Sequence, residues 1–136
     1  MVKNLPEKLD VVHQLDEKNW RDFVLQTRQA NIFHTPEMFQ VFESAHNHQP
    51  LIHAVVDENK KILALLPTVQ VTIFNGLFNL LTSRSISYGS VLSTPDPGGK
   101  QALSTLLQVY SQEAGRDTLY RVTESLRYDP FPGKPF

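Results

Sequence analysis

Leu51-Ile52-His53-Ala54-Val55-Val56-Asp57-Glu58-Asn59-Lys60-Lys61-Ile62-Leu63-Ala64-Leu65-Leu66-Pro67 is the stretch that decides the fold. Two apolar, β-branched runs flank the polar turn Asp57–Lys60, which is the pattern of an antiparallel hairpin. Pro67 has no N–H to give a strand ladder, so Thr68 to Phe74 is expected to bend away or to begin a new edge segment. There Val69, Val71 and Ile73 alternate with Thr68, Gln70 and Thr72, the period of a half-buried strand. Asn75-Gly76 is a favoured two-residue hairpin turn. Leu77 to Leu81 is read as the returning strand, and Ile86 to Leu92 as one more.

Upstream of the hairpin the period is helical. Leu9 to Val12 suits a short first strand, after which Asp16 can cap a helix reaching about Arg28. Trp20, Phe23, Val24 and Thr27 fall at i, i+3, i+4 and i+7, the spacing of one packed helical face. A second helix is expected over residues 35–46, with Thr35 as N-cap, Pro36 at the first helical position and Glu37 in the first turn. Met38, Val41, Phe42 and Ala45 form its apolar stripe, onto which Ile32 or Phe33 can staple. Downstream, Ser93–Gly99 is loop, and residues 100–114 form a third helix with Leu103, Leu106, Leu107 and Tyr110 on one face. Gly115 ends it. Thr118 to Thr123 is a last strand, and residues 126–136, with three prolines and a glycine in DPFPGKPF, are a tail after a domain at 1–125. The order strand, two helices, antiparallel meander, helix, strand gives an α+β domain whose mainly antiparallel sheet is flanked by helices.

Composition narrows the function classes. The 136 residues carry 13 basic and 14 acidic groups, a net charge of −1, so no basic stripe is available for DNA or RNA. There is no cysteine, which removes disulfides, zinc-thiolate sites and thiol nucleophiles and fits a reducing, cytoplasmic compartment. MVKNLPEKLD is not a signal peptide, and the apolar run Val71–Leu81 is too short for the roughly 20 residues of a membrane-spanning helix.

Several residues, taken in order, resemble the GNAT-like half-domain of the FemAB family, which transfers aminoacyl groups from aminoacyl-tRNA onto peptidoglycan precursors. They are Trp20-x-x-Phe23, then Asn31-Ile32-Phe33-His34-Thr35-Pro36-Glu37-Met38, the strand closing on Leu66-Pro67, and Ser87-Tyr88-Gly89-Ser90-Val91 ahead of a Gly/Pro loop and helix. The likeness runs from about Val11 to Tyr120. Met38 stands where relatives have tryptophan, and the chain is too short for the family's second half, so it reads as a truncated or split form. The resemblance implies a GNAT-like fold and an acyl or aminoacyl transferase that contributes acceptor binding. Two alternatives remain: a non-catalytic binding or regulatory domain, and an inactive gene remnant.

The resemblance also implies where substrate would lie. The strand holding Arg84, Tyr88 and Gly89 borders the family's acceptor cleft, where an arginine can fork onto phosphate or carboxylate and a tyrosine can stack or donate a bond. Phe74, Leu77 and Phe78 around the Asn75-Gly76 turn are expected to meet a second copy or a missing second half, unless they pack on the domain's own core. Acetyl-CoA enzymes of this fold hold pyrophosphate with Gln/Arg-x-x-Gly-x-Gly/Ala, which does not occur here. Gly98-Gly99-Lys100 is the nearest substitute and reads more simply as a helix start, so no cofactor is expected. Catalytic residues are left open. His46 and His48, spaced i, i+2 without a nearby carboxylate, read as exposed loop residues and not as metal ligands. His34 is read as orienting the second helix and His53 as a hydrogen-bonded sheet residue. Ser83, Ser85, Ser87 and Ser90 lack a nucleophile elbow and read as a strand's polar face.

Overall fold

The computed structural model describes residues 8–72, 83–116 and 123–125, with side chains at 8–72 and 85–113. The order is β1 (Asp10–Val12), α1 (Glu17–Gln26), a 3-10 turn (Ile32–His34), α2 (Pro36–Ser44), β2 (His48–Val56), β3 (Ile62–Thr72), β4 (Ser83–Ser87), β5 (Leu92–Ser93), α3 (Pro97–Arg116) and β6 (Thr123–Ser125). The strands form one sheet in the order β1-β2-β3-β4-β6, with β5 also on β3. Every pairing is antiparallel except β4 with β6, which is parallel.

The central hairpin forms as its sequence pattern predicts. Asp57 closes the turn, its carboxylate accepting the Asn59 and Lys61 amides at 2.8 and 2.9 Å. Along β2, Ile52, Ala54 and Val56 join one core cluster and Val55 joins the other, the two-residue alternation of a sheet covered on both faces. Trp20, Phe23 and Val24 of α1 pack with Leu65 and Leu92 on the first face, and Phe39 of α2 backs them. Ala102 and Leu106 of α3 pack with Leu63, Ala64 and Leu66 on the second. Burying a leucine as completely as Leu65, Leu92 or Leu106 is worth about 1.5–3 kcal/mol.

The N-caps of α1 and α2 sit where the sequence puts them, whereas α3 begins at Pro97, within the expected loop, and runs through Gly115 to Arg116. Asp16 accepts the Asn19 amide at 3.1 Å and Thr35 accepts the Met38 amide at 3.2 Å. The buried stripe of α2 differs from the expected one. Val41 is 56% exposed, while Phe39 meets Trp20 edge-on at 5.5 Å. On α3 the packed face is Ala102, Leu106 and Tyr110, and Leu107 is 44% exposed. In both helices a one-position rotation of the stripe satisfies the same period, and the neighbour across the interface selects the face. Likewise β2 begins at His48, so this histidine is a strand residue and its ring stacks on Phe42 at 6.2 Å.

Pro67 does not break β3, which continues through it to Thr72. Its carbonyl faces β4, accepting from the Ser87 hydroxyl at 3.3 Å, and there the neighbouring strand has left the ladder. β3 pairs Val69 with Ile86 and then Leu65 with Leu92, so the expected single strand Ile86–Leu92 is interrupted over Tyr88–Val91. The missing proline N–H therefore falls where the β3 ladder toward β4 and β5 is already interrupted. The Asn75-Gly76 turn, the Leu77–Leu81 return, residues 118–122 of the expected last strand and the 126–136 tail lie outside the described residues. Among the described residues, no helix is long and apolar enough to cross a membrane.

Candidate functional site

The break in the β4–β5 edge is held open by a buried histidine. Asn31 and His34 form a reciprocal cap on the 3-10 turn: the Asn31 side chain takes the Phe33 amide at 2.9 Å, and His34 Nδ1 takes the Asn31 amide at 3.0 Å. Nδ1 is therefore the acceptor and Nε2 carries the proton, which it donates to the Ser90 carbonyl at 2.7 Å. Trp20 Nε1 donates to the His34 carbonyl at 2.6 Å, anchoring the turn to α1. His34 has no solvent exposure, and burial lowers its pKa below the usual histidine value. The Ser90 carbonyl opposes that shift, yet the neutral tautomer already satisfies this contact.

Gly89 lies flat against the His34 ring. A Cβ at this position would come within 2.5 Å of Nε2 and 3.1 Å of Nδ1, so close approach requires the glycine. Ser87 Oγ stands 2.8 Å from the Gly89 carbonyl and ties the bulge to the end of β4. Tyr88 is half-buried, its ring stacked between Phe33 at 5.4 Å and Phe42 at 5.3 Å. The sequence places Tyr88 and Gly89 on a strand; the structure places them in the bulge between two strands. Arg84 is in β4, opposite Val71 of β3, and its side chain lies outside the described residues. Sequence reading finds His34 through its cap, but misses its bond across 56 positions to Ser90, for which no local pattern exists.

Downstream of the bulge, Asp96 precedes α3 and accepts the Gly99 amide at 2.7 Å and the Thr94 hydroxyl at 3.0 Å. Those two bonds, the Gly99 amide foremost, hold its carboxyl below the usual carboxylate range. Gly99 is pressed so close to Thr94 that a Cβ would stand 2.6 Å from the Thr94 carbonyl carbon. The Gly98-Gly99-Lys100 segment is thus a packed helix start with a resident carboxylate at the Gly99 amide. Beside it a cleft of about 750 Å³ opens between α1, the β2–β3 turn and the Thr94–Asp96 loop. Arg28, Lys60 and Lys61 line it together with Asp22 and Asp96, a mixed-charge rim.

On the opposite face of the sheet, His13, His53 and Glu113 converge from β1's end, β2 and α3. His53 Nε2 meets Glu113 Oε2 at 2.7 Å and His13 Nε2 meets Glu113 Oε1 at 3.2 Å. His53 is a hydrogen-bonded sheet residue as its sequence context suggests, but the sequence signals neither partner. Ser85 and Ser87 of β4 are buried, and Ser85 Oγ pairs with Tyr110 Oη at 2.9 Å.

No family model and no curated protein matches this sequence. Solved structures do match. A ribosomal-protein-alanine N-acetyltransferase from Brucella melitensis biovar Abortus 2308 superposes with TM-score 0.52 at 10% identity, over 92% of this chain and 84% of that one. An aminoglycoside antibiotic 6'-N-acetyltransferase from Acinetobacter baumannii gives 0.53 at 11% identity, over 92% and 82%. A GCN5-related glucosamine N-acetyltransferase region in a fungal multi-domain β-N-acetylglucosaminidase gives 0.51 at 15% identity, over 98% of this chain and 15% of that one. The shared feature is the architecture, and the chain has a GNAT-like α+β fold, a mainly antiparallel sheet flanked, among the described residues, by three helices.

Proposed function

We propose that this chain is an acyl or aminoacyl transferase domain of FemAB type whose part is to bind the acceptor. The observation that carries the reading is the break of the β4–β5 edge beside the parallel β4–β6 pair, buttressed by His34 against Gly89. A strand that leaves its ladder presents backbone groups and a stacked tyrosine, and positioning of this kind is the main need of acyl transfer between bound partners. Arg84 would engage an anionic group of the acceptor, Tyr88 its chain, and Gly89 the close backbone approach. The mixed-charge cleft beside Thr94–Asp96 suits an acceptor peptide carrying both signs.

A second reading, a binding domain without catalysis, is favoured by Asp96. Its carboxylate already occupies the α3 amide that a pyrophosphate would need, and like charges repel there. Titration of a short lysine-containing peptide, followed by amide NMR and calorimetry, tests the first reading. Shifts should centre on residues 87–91, and Arg84→Ala should weaken binding about tenfold, the loss of one charge-assisted hydrogen bond. Acetyl-CoA should show no measurable affinity. A peptide that leaves residues 87–91 unmoved refutes acceptor binding. Micromolar acetyl-CoA binding, near about −8 kcal/mol, would instead make the Gly98-Gly99 start a cofactor site.

A further inference from the structure

We propose that His13, His53 and Glu113 bind a divalent transition-metal ion of the zinc type on the α3 face of the sheet. Each residue offers one ligand atom, and these atoms lie within 4.8 Å of one another. Tetrahedral zinc, with bonds of about 2.0–2.2 Å to nitrogen and oxygen, separates its ligand atoms by roughly 3.3 Å. The two histidine contacts to Glu113 are already at 3.2 and 2.7 Å, so small side-chain rotations would admit an ion between the three. Two imidazoles and a carboxylate form a donor set suited to zinc and poorly suited to magnesium, which prefers oxygen.

The surroundings orient these ligands. His13 Nδ1 lies 3.1 Å from the Ile52 carbonyl, an acceptor that needs a proton on that nitrogen. In a neutral ring Nε2 then directs a lone pair at the Glu113 carboxylate, a repulsive arrangement that a cation between them turns attractive. The His53 ring is fixed edge-on by His13 at 4.7 Å and by Tyr110 at 5.1 Å, so it pivots little. His53 is buried, at 6% side-chain exposure, while His13 and Glu113 remain 53% and 39% exposed. The site therefore has an anchored inner ligand and an open outer side, through which an ion enters and water completes a fourth position. Burial pushes Glu113 upward, but its bonds and proximity to His53 and His13 outweigh this and keep it below the usual carboxylate range. An ion here would clip β1, β2 and the C-terminal half of α3 together.

The test uses the full chain after chelator treatment, with Zn²⁺ competed against a chromophoric chelator and Co²⁺ as a spectroscopic probe. The expected result is a single ion per chain, the intense visible absorbance of tetrahedral Co²⁺, and a Tm that rises with Zn²⁺ but not with Mg²⁺. His13→Ala, at an exposed position, and the near-isosteric Glu113→Gln should each weaken Zn²⁺ by more than about tenfold while keeping the circular dichroism of the parent. His46→Ala and His48→Ala should leave affinity unchanged. The proposal is overturned if Zn²⁺ does not bind. It is equally overturned if His13→Ala and Glu113→Gln keep parental affinity, or if loss of His46 or His48 removes the ion.

Discussion

Replacing Gly89 with alanine sets a single methyl against a buried ring bonded at both nitrogens. The new Cβ would stand within 2.5 Å of His34 Nε2, well inside van der Waals contact. The ring has nowhere to go, because Nδ1 is held by the Asn31 amide at 3.0 Å and Nε2 by the Ser90 carbonyl at 2.7 Å. Relief requires either a shifted backbone at the bulge, costing about 1–3 kcal/mol as overpacking, or a displaced ring that leaves a buried polar group unpaired at about 1–3 kcal/mol. The alanine recovers up to about 1 kcal/mol by stiffening the unfolded chain. The net expectation is a loss of about 1–2 kcal/mol, seen in urea titration and as a Tm lower by roughly 3–7 °C for a domain of this size. The decisive measurement is the double variant. With His34→Ala already made, adding Gly89→Ala should cost under about 1 kcal/mol, since the ring it would strike is gone. Additive costs, or a Gly89→Ala protein as stable as the parent, would refute the buttress.

His34 has a folded-state pKa below its unfolded value of about 6.5, so the unfolded chain binds the extra proton between the two. Its contribution is therefore intact above that value and is lost as pH falls below it. Urea midpoints at pH 7.5 and 5 should diverge more for the parent than for His34→Gln, and equal divergence removes the buried neutral ring from the account. Gly99→Ala drives a methyl into the Thr94 backbone and should destabilise by about 1–3 kcal/mol in thermal unfolding; a neutral effect would mean that the Thr94–Asp96 loop yields. Phe74 and Phe78 are proposed to meet a second copy or a second half of the transferase. Phe74→Ser with Phe78→Ser should turn a self-associating chain into a stable monomer in sedimentation, and a parent that is monomeric at high concentration, or a variant that unfolds, defeats that surface.

Some of this architecture is written in short range and some is not. Asp16 and Thr35 reach amides three residues away, the Asp57 turn closes within five positions, and the β2 alternation repeats every second residue, so each is legible from neighbouring letters. Periodicity restricts a helix to a stripe a few positions wide. Whether Val41 or Phe39 faces inward depends on Trp20 across the interface, a partner with no fixed offset in the chain. Pro67 shows the same limit. Local chemistry says that proline removes a ladder bond, and only the assembled sheet reveals that the ladder on that side is interrupted at Pro67. The His34–Ser90 bond at the Tyr88–Val91 bulge spans 56 positions, and the His53–Glu113 contact of the histidine–carboxylate cluster spans 60. Such contacts are fixed by the registry of the sheet and the seating of α3 on it. Tertiary packing alone brings those atoms within bonding distance, and the candidate sites of this protein are made of them.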